Sequence, residues 1–78
     1  MKPLIEYIAR SLVDDPTQVQ VFERKRGGSA DITLRVAKPD MGRVIGRSGR
    51  VANAMRALLQ VAAARDDKRA HLNISDPE

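Results

Sequence analysis

The hydrophobic positions near the N-terminus recur with the spacing of a helix that has one apolar face. They are Leu4, Ile5, Ile8, Ala9, Leu12 and Val13. Steps of three and four residues bring such positions together on one side of a helix. Pro3 suits the first turn, where its missing N–H is not needed, and Asp14-Asp15-Pro16 predicts the end of the helix. The first predicted element is therefore an amphipathic helix.

A pair of strands is predicted after this helix. The first is indicated by three apolar residues, Val19, Val21 and Phe22. The second alternates strictly, with apolar side chains at Ile32, Leu34 and Val36 and polar ones between them. Such alternation is typical of a strand with one buried face. The segment 24–29 is polar, contains two glycines and predicts the turn of a hairpin.

The second half of the chain predicts a short helix, a long helix and a last strand. Lys38-Pro39 ends the preceding strand, and Asp40 is placed to N-cap a short helix that runs through Ile45. A long helix then ends near Arg65, with its buried stripe predicted at Val51, Ala54, Met55, Leu58, Leu59 and Ala62. The final strand is indicated by alternation at Ala70, Leu72 and Ile74. A loose polar tail is expected from about residue 75.

This order of elements predicts a single α+β domain over residues 1–78. Helix, strand, strand, helix, helix and strand follow one another without a linker or a repeat. A strand that reaches the next strand through two helices is expected to return parallel to it, whereas a hairpin is antiparallel. We therefore expect a three-stranded mixed sheet with the helices packed on one face.

Composition and charge narrow the functional classes. The chain has no cysteine, which excludes disulfides, thiolate metal sites and cysteine nucleophiles. Its single histidine, His71, has no second histidine with which to share a metal, so we expect neither a metal nor a cofactor. Without an apolar run of membrane length or a signal peptide, a cytoplasmic protein with no membrane partner is expected. The net charge of +4 favours a polyanion as the partner.

The positive charge is concentrated around one short motif. Residues 41–65 include five arginines and no aspartate or glutamate. Three of these, Arg43, Arg47 and Arg50, lie within or beside the G-x-x-G sequence at 46–49. Glycine lets the chain turn sharply and lets another backbone come close. A helix that starts just after such a turn presents free N–H groups to a phosphate. The motif is therefore suited to holding a nucleic-acid backbone.

The run Val44-Ile45-Gly46-Arg47-Ser48-Gly49 resembles the signature loop of KH domains, in which G-x-x-G joins a short helix to a longer one. The order of elements resembles the type II, bacterial KH fold, because a helix and a hairpin precede the motif and one strand follows it. The similarity covers essentially the whole chain, which resembles the small stand-alone bacterial KH proteins of the KhpA type. It implies a single-stranded RNA-binding module, not an enzyme, that acts as a post-transcriptional regulator or RNA chaperone.

The resemblance also implies which residues contact RNA. They are Arg43, Val44, Gly46, Arg47, Ser48, Gly49, Arg50 and Asn53. The two glycines would bring the loop backbone against a single strand of about four nucleotides, as in other KH modules. The arginines would flank the phosphate path, and the valine would form an apolar floor for the bases. The asparagine would reach a base edge or a ribose hydroxyl.

Two features next to the motif complete this assignment. Ile45 is assigned to the core and not to the groove. Many KH sequences have a large aliphatic residue three places after the second glycine, whereas this chain has Ala52 there, preceded by Val51. The residues that face the groove beyond Arg50 are therefore left open.

Other partners and functions are compatible with the same residues. The alanine-rich helix and the small core favour a homodimer, and the resemblance implies a heterodimer with a larger KH protein of the Jag type. A protein-docking KH subunit with vestigial RNA binding is one alternative function. Binding of double-stranded DNA by the long helix is another, although only one long helix is basic. The glycine pair is also compatible with a plain turn between two helices.

Overall fold

The computed structural model describes residues 1–76, and in this range three helices and three strands follow one another in the predicted order. The helices are α1 (Lys2–Leu12), α2 (Met41–Ile45) and α3 (Arg50–Ala64), and the strands are β1 (Gln20–Arg26), β2 (Ser29–Arg35) and β3 (Arg69–Ser75). Short 3-10 turns lie at Pro16–Gln18, Lys38–Asp40 and Arg47–Gly49. The polar tail predicted from about residue 75 begins later, because Ser75 belongs to β3. Its last two positions, 77 and 78, lie outside the described residues.

The sheet is mixed, with β2 between the two other strands. β1 is antiparallel to β2, and β3 is parallel to it. The parallel pairing follows from the connection through α2 and α3, which returns the chain to the same end of the sheet before β3 begins. The expected α+β architecture with a three-stranded mixed sheet is confirmed.

The hairpin turn is shorter than the sequence predicted. Arg26 pairs with Ser29, so only Gly27 and Gly28 lie in the turn. Gly27 has a positive φ of 53°, which two-residue hairpin turns require. The polar residues at 24–26, predicted as part of the turn, extend β1. Polar residues can extend the strand because its hydrogen bonds to β2 are made by backbone groups and do not require apolar side chains.

The core lies between the helices and one face of the sheet. Its fully buried large side chains come from α1, β2, α2 and α3, together with the residue that follows β2, and they are Ile5, Ile32, Leu34, Val36, Val44, Met55 and Leu59. The alternation predicted for β2 is confirmed, since its apolar positions are buried and Arg35 is exposed. The opposite face of the sheet carries mostly polar residues, which come from all three strands.

The buried stripe of α3 differs from the predicted one. Its buried residues are Ala52, Met55, Leu59 and Ala63. Ala54 and Leu58, predicted as buried, are exposed, and Leu58 keeps 49 % of its surface accessible. α3 packs on the sheet with one narrow side, so only positions spaced by three and four residues from Met55 are covered. Val51 and Ala62 are half-buried, and the remaining apolar residues of this helix face outward.

Asp40 is a buried acid that joins the end of α1 to the start of α2. Its carboxylate oxygens accept the backbone N–H groups of Asp14 at 3.1 Å and Asp15 at 3.2 Å. It is the N-cap residue of α2, as predicted, but its side chain makes no capping hydrogen bond to that helix. The two N–H groups follow α1 in a partly buried region, where they need acceptors. Asp40 supplies both acceptors from 25 and 26 residues further along the chain.

Candidate nucleic-acid interface

The G-x-x-G motif forms a tight loop between α2 and α3 with three positive φ angles. These are 75° at Gly46, 56° at Ser48 and 76° at Gly49. The Gly46 N–H donates to the Gly42 carbonyl at 2.9 Å, and the Gly49 N–H donates to the Gly46 carbonyl at 3.2 Å. Within residues 1–76, the N–H groups of Arg47 and Ser48 make no such turn bond. The loop therefore leaves two adjacent donors for a ligand.

The two glycines are required for different reasons. A Cβ at Gly46 would lie 2.5 Å from Cγ2 and 2.9 Å from the backbone N of Val51. Its φ of 75° and ψ of 174° also fall in a region that only glycine adopts readily. At Gly49, by contrast, the nearest atom to an added Cβ is Nδ2 of Asn53 at 3.8 Å. Gly46 thus packs the loop onto the first turn of α3, whereas Gly49 only satisfies a left-handed turn.

The three arginines near the loop are not equivalent. Arg43 is paired, with Nη2 2.9 Å from Oδ2 of Asp14 and Nε 3.6 Å from Oδ1 of Asp40. Arg47 and Arg50 are exposed and form no ion pair within residues 1–76. The two unpaired arginines lie inside the loop and immediately after it. They are the charges best placed to meet an anion there.

The apolar residues before the loop have exchanged their predicted places. Val44 is fully buried in the core, while Ile45 keeps 36 % of its surface accessible. The assignment of Val44 to an apolar floor and of Ile45 to the core is therefore wrong. Met41 and Val44 lie three residues apart, so they share the side of α2 that packs on the core. Ile45 follows at the end of the helix and presents its side chain beside Gly46.

Asn53 is held in a defined orientation by a neighbour on α3. Its Oδ1 accepts a hydrogen bond from Nη1 of Arg56 at 3.2 Å. Nε and Nη2 of the same arginine donate to the Leu72 carbonyl, each at 3.3 Å. This fixes the carboxamide oxygen toward β3, so that the amide nitrogen faces Gly49, as the 3.8 Å separation above indicates. The sequence did not single out Arg56, because its contact with β3 depends on how α3 packs on the sheet.

α3 also covers the free edge of β3. The Arg69 N–H donates to the Gly28 carbonyl at 2.9 Å, so the backbone groups of Ala70 and Leu72 alternate to the other side of the strand. The Leu72 carbonyl accepts the two hydrogen bonds from Arg56. Nε2 of Gln60 donates to the Ala70 carbonyl at 2.6 Å. Two carbonyls that would otherwise be open at this edge are therefore occupied.

The positions after Arg50 can now be assigned. Ala52 is buried and Val51 is half-buried against the core. A large aliphatic side chain at 52 would point into this packed region. The exposed positions between Val51 and Ala57 are Asn53, Ala54, Arg56 and Ala57.

Comparison with known proteins places this loop in a family. A family model described as the KH domain of KhpA and KhpB matches residues 2–74. The chain is a member of the KhpA/KhpB KH-domain family. This confirms the predicted resemblance to a bacterial KH protein of the KhpA type. The match extends from the start of α1 into β3 and leaves out only Ser75, the last residue of that strand.

Individual relatives in the KhpA/KhpB family are similar over nearly their whole length. The "RNA-binding protein KhpA" of Halalkalibacterium halodurans is 46% identical over 76 residues, which cover 97% of this chain and 100% of that protein. The protein of the same name in Clostridium acetobutylicum is 47% identical over 74 residues, or 95% and 99% of the two chains. That of Treponema pallidum is 47% identical over 73 residues, or 94% and 91%. These names describe RNA-binding proteins and not enzymes.

The described part of the chain contains no metal site, no membrane-spanning helix and no unpaired buried polar side chain. Within residues 1–76, no group of three or more His, Asp or Glu side chains could hold a metal ion. No helix in that range combines the length and the apolar character needed to cross a bilayer. Nor does any buried side-chain nitrogen or oxygen there lack a hydrogen-bond partner. Any side-chain nitrogen or oxygen in this range that lacks a hydrogen-bond partner is therefore at the surface.

Proposed function

We propose that this protein binds single-stranded RNA through the loop at 46–49 and the adjoining first turns of α3. The observation that carries the proposal is the pair of exposed, unpaired arginines, Arg47 and Arg50, on a loop whose backbone leaves two N–H groups free. The names of the relatives, all "RNA-binding protein KhpA", support RNA as the ligand. In this role the protein would act on RNA after transcription, as a regulator or an RNA chaperone.

The loop supplies the groups that a phosphate needs. The N–H groups of Arg47 and Ser48 make no backbone turn bond within residues 1–76, and α3 begins at Arg50, so its positive dipole end lies beside them. The two guanidinium groups add charge-assisted hydrogen bonds. Together they would hold the backbone of about four nucleotides, the length that a KH module clamps. Arg43 contributes less, because two carboxylates already neutralise it.

Beyond the phosphates, one apolar and one polar side chain face the strand. Ile45 replaces Val44 as the apolar contact, since it is the exposed member of the pair. The amide nitrogen of Asn53 can donate to a base carbonyl or a ribose oxygen, because Arg56 holds its oxygen on the other side. A single donor and an aliphatic surface give limited discrimination between bases. We therefore expect modest sequence preference.

A single strand fits this surface better than a duplex. Arg56, the basic residue in the middle of α3, is bonded to the Leu72 carbonyl. Because its guanidinium group is held there, it is not free to contact base edges in a major groove, as side chains of a recognition helix do. Double-stranded DNA remains the alternative ligand that the binding experiment tests.

The experiment compares charge reversal at the loop with the same change at the other end of α3. Arg47→Glu with Arg50→Glu removes the proposed phosphate contacts. Arg65→Glu with Lys68→Glu changes the net charge equally at two exposed positions. Fluorescence anisotropy of a labelled single-stranded RNA gives the affinity at several salt concentrations. Duplex RNA and double-stranded DNA of the same sequence are measured in parallel.

The loop variant should bind at least about tenfold more weakly, and its salt dependence should be shallower. Three or four phosphate contacts give a slope of log affinity against log salt of about −2 to −3, and each contact removed changes it by about 0.7. The control variant should keep the steeper slope. Equal weakening in both variants would mean that binding depends on overall charge. Absence of binding at low salt would favour the protein-docking alternative, and preference for a duplex would refute the single-strand assignment.

We further propose that the protein forms a homodimer through the exposed apolar face of α3. Leu58 and Val61 keep 49 % and 58 % of their surface accessible, and Ala54 and Ala57 lie beside them at helical spacing. Small alanines let two copies of the helix approach closely. A second copy would also raise the avidity of a weak four-nucleotide site.

The alternative partner is the larger Jag-type KH protein, which would present an equivalent helix face. Sedimentation of the parent protein and of the variant Leu58→Glu with Val61→Glu tests the face itself. We expect a dimer for the parent and a folded monomer for the variant. A monomeric parent would refute self-association and leave the heterodimer as the use of this face.

A further inference from the structure

The face of the sheet that no helix covers carries a second group of basic residues. By the strand register, Phe22 lies beside Thr33 on β2, and Thr33 lies beside Asn73 on β3. In the next row, Arg24 lies beside Asp31, and Asp31 lies beside His71. These positions alternate with the buried ones on each strand, so all of their side chains are on the open face.

The charge on this face is strongly positive. Its arginines come from all three strands and are Arg24, Arg26, Arg35 and Arg69, whereas Asp31 is its one acid. The Arg26–Asp31 pair is long, with 3.9 Å between Nε and Oδ2, so it holds neither side chain firmly. Four arginines against one aspartate give this face an excess of positive charge on a surface distant in sequence from the G-x-x-G loop. A polyanion is the partner that complements it.

The same face exposes the chain's single phenylalanine. Phe22 keeps 50 % of its surface accessible although it is surrounded by polar residues. The guanidinium carbon of Arg35 lies 5.3 Å from the centre of its ring, in cation–π geometry. An exposed ring with a cation beside it is the combination on which unpaired bases stack in single-stranded nucleic-acid sites. Phosphates alone would not require this ring.

A depression beside the ring offers polar groups for a base edge. It has a volume of about 610 Å³, and its lining residues are Phe22, Glu23, Arg24, Arg26, Asp31, Thr33, His71 and Asn73. This volume falls within the range of about 300–1,000 Å³ that is usual for small-ligand sites. Asp31 lies in the next row, where a carboxylate accepts hydrogen bonds from an amino group such as that of cytosine.

We propose that the open face of the sheet is a second binding surface for single-stranded RNA. A base stacks on Phe22, and Thr33 and Asn73 meet its edge. Arg24, Arg26, Arg35 and Arg69 hold the phosphates on either side. The choice of RNA as the polyanion rests on the function proposed above, but the surface is separate from the loop at 46–49. One molecule would thus hold two segments of the same strand, which raises its affinity for long RNA relative to a tetranucleotide.

The test follows backbone amide signals by NMR when RNA is added to the protein carrying Arg47→Glu and Arg50→Glu. This variant lacks the proposed loop contacts and retains every residue of the sheet face. A twelve-nucleotide single-stranded RNA should shift the signals of Phe22, Thr33 and Asn73. Adding Phe22→Leu, which keeps an apolar side chain but removes the ring, should weaken that binding about tenfold, since each stacked base contributes strongly. Phe22→Trp should restore it.

The outcomes separate this inference from the proposed function. In the parent protein, signal shifts at the loop and at the sheet support both the loop clamp and the second RNA surface. Signal shifts at the loop alone refute the second surface. Shifts at the sheet alone support the sheet surface and refute the clamp, and shifts at neither refute both. An acidic peptide of equal charge is titrated as a control. If it shifts the sheet signals as strongly as RNA, or if Phe22→Leu has no effect, the face is a general anion surface and the inference is wrong.

Discussion

Replacement of each loop glycine by alanine should destabilise the protein by very different amounts. The sequence treats Gly46 and Gly49 as two equal members of one motif, and both have a positive φ. Only Gly46 combines that angle with a ψ of 174° and with close contact to Val51. Gly46→Ala and Gly49→Ala therefore separate a packing requirement from a simple requirement of turn geometry.

The expected magnitudes follow from the backbone and from the space around each Cβ. At Gly46, a non-glycine residue in this region costs about 1–3 kcal/mol. Its Cβ would be 2.9 Å from the Val51 backbone N, which cannot move aside as a side-chain end can, and crowding of this kind adds about 1–3 kcal/mol. At Gly49, the left-handed conformation alone costs about 1–2 kcal/mol. A domain of this size has a total stability of about 4–12 kcal/mol.

Urea denaturation followed by circular dichroism measures both differences. We expect Gly46→Ala to lose about 3 kcal/mol or more and to lower the Tm by at least about 12 °C, because each kcal/mol shifts a small domain by about 4–8 °C. Gly49→Ala should lose about 1 kcal/mol. Gly49→Asn should lose less, since asparagine tolerates the left-handed region. Equal losses at the two glycines, or a loss below about 1 kcal/mol at Gly46, would refute this account of the loop.

Three further changes test the surroundings of the loop. Asp40→Ala removes two bonds from backbone N–H groups to a buried carboxylate and should lower the free energy of unfolding by about 2–4 kcal/mol; a loss below about 1 kcal/mol in the same urea experiment would contradict its role. Val44→Ala should destabilise the core by about 1–3 kcal/mol, whereas Ile45→Ala should leave the Tm nearly unchanged and weaken RNA binding in the anisotropy assay; the reverse pattern would restore the assignment made from the sequence. Arg43→Gln should weaken RNA binding clearly less than Arg47→Gln at the same salt concentration, because Arg43 is already paired, and equal effects would show that its ion pairs open for RNA.

The elements with a long, regular pattern were predictable from the sequence. The alternation in β2 and the helical period in α1 each extend over enough residues to define a buried face. The parallel return of β3 followed from the two helices that precede it. The G-x-x-G loop was predictable because its glycines are a local requirement of the backbone. In each case the information lies within a short stretch of the chain.

The errors arose where the structure depends on contacts distant in sequence. α2 has five residues, too few for a period to show whether Val44 or Ile45 faces the core, and its docking on the core decides this. Asp40 has the residue type and position of a helix cap, but its acceptor groups are used by the chain after α1. The polar residues at 24–26 lack the apolar alternation that indicates a strand, and only their pairing with residues 29–31 of β2 makes them part of β1.

The contacts of Arg56 and Gln60 with β3 also protect the chain from misassembly. A strand at the edge of a sheet can add a strand from another molecule, which is a common route to aggregation. Here two backbone carbonyls of that edge are occupied by side chains of α3, so a foreign strand would have to break these bonds before it could pair. The long helix that follows the G-x-x-G loop thus also closes the β3 edge of the sheet against further growth, and it does so as soon as α3 and β3 have folded together.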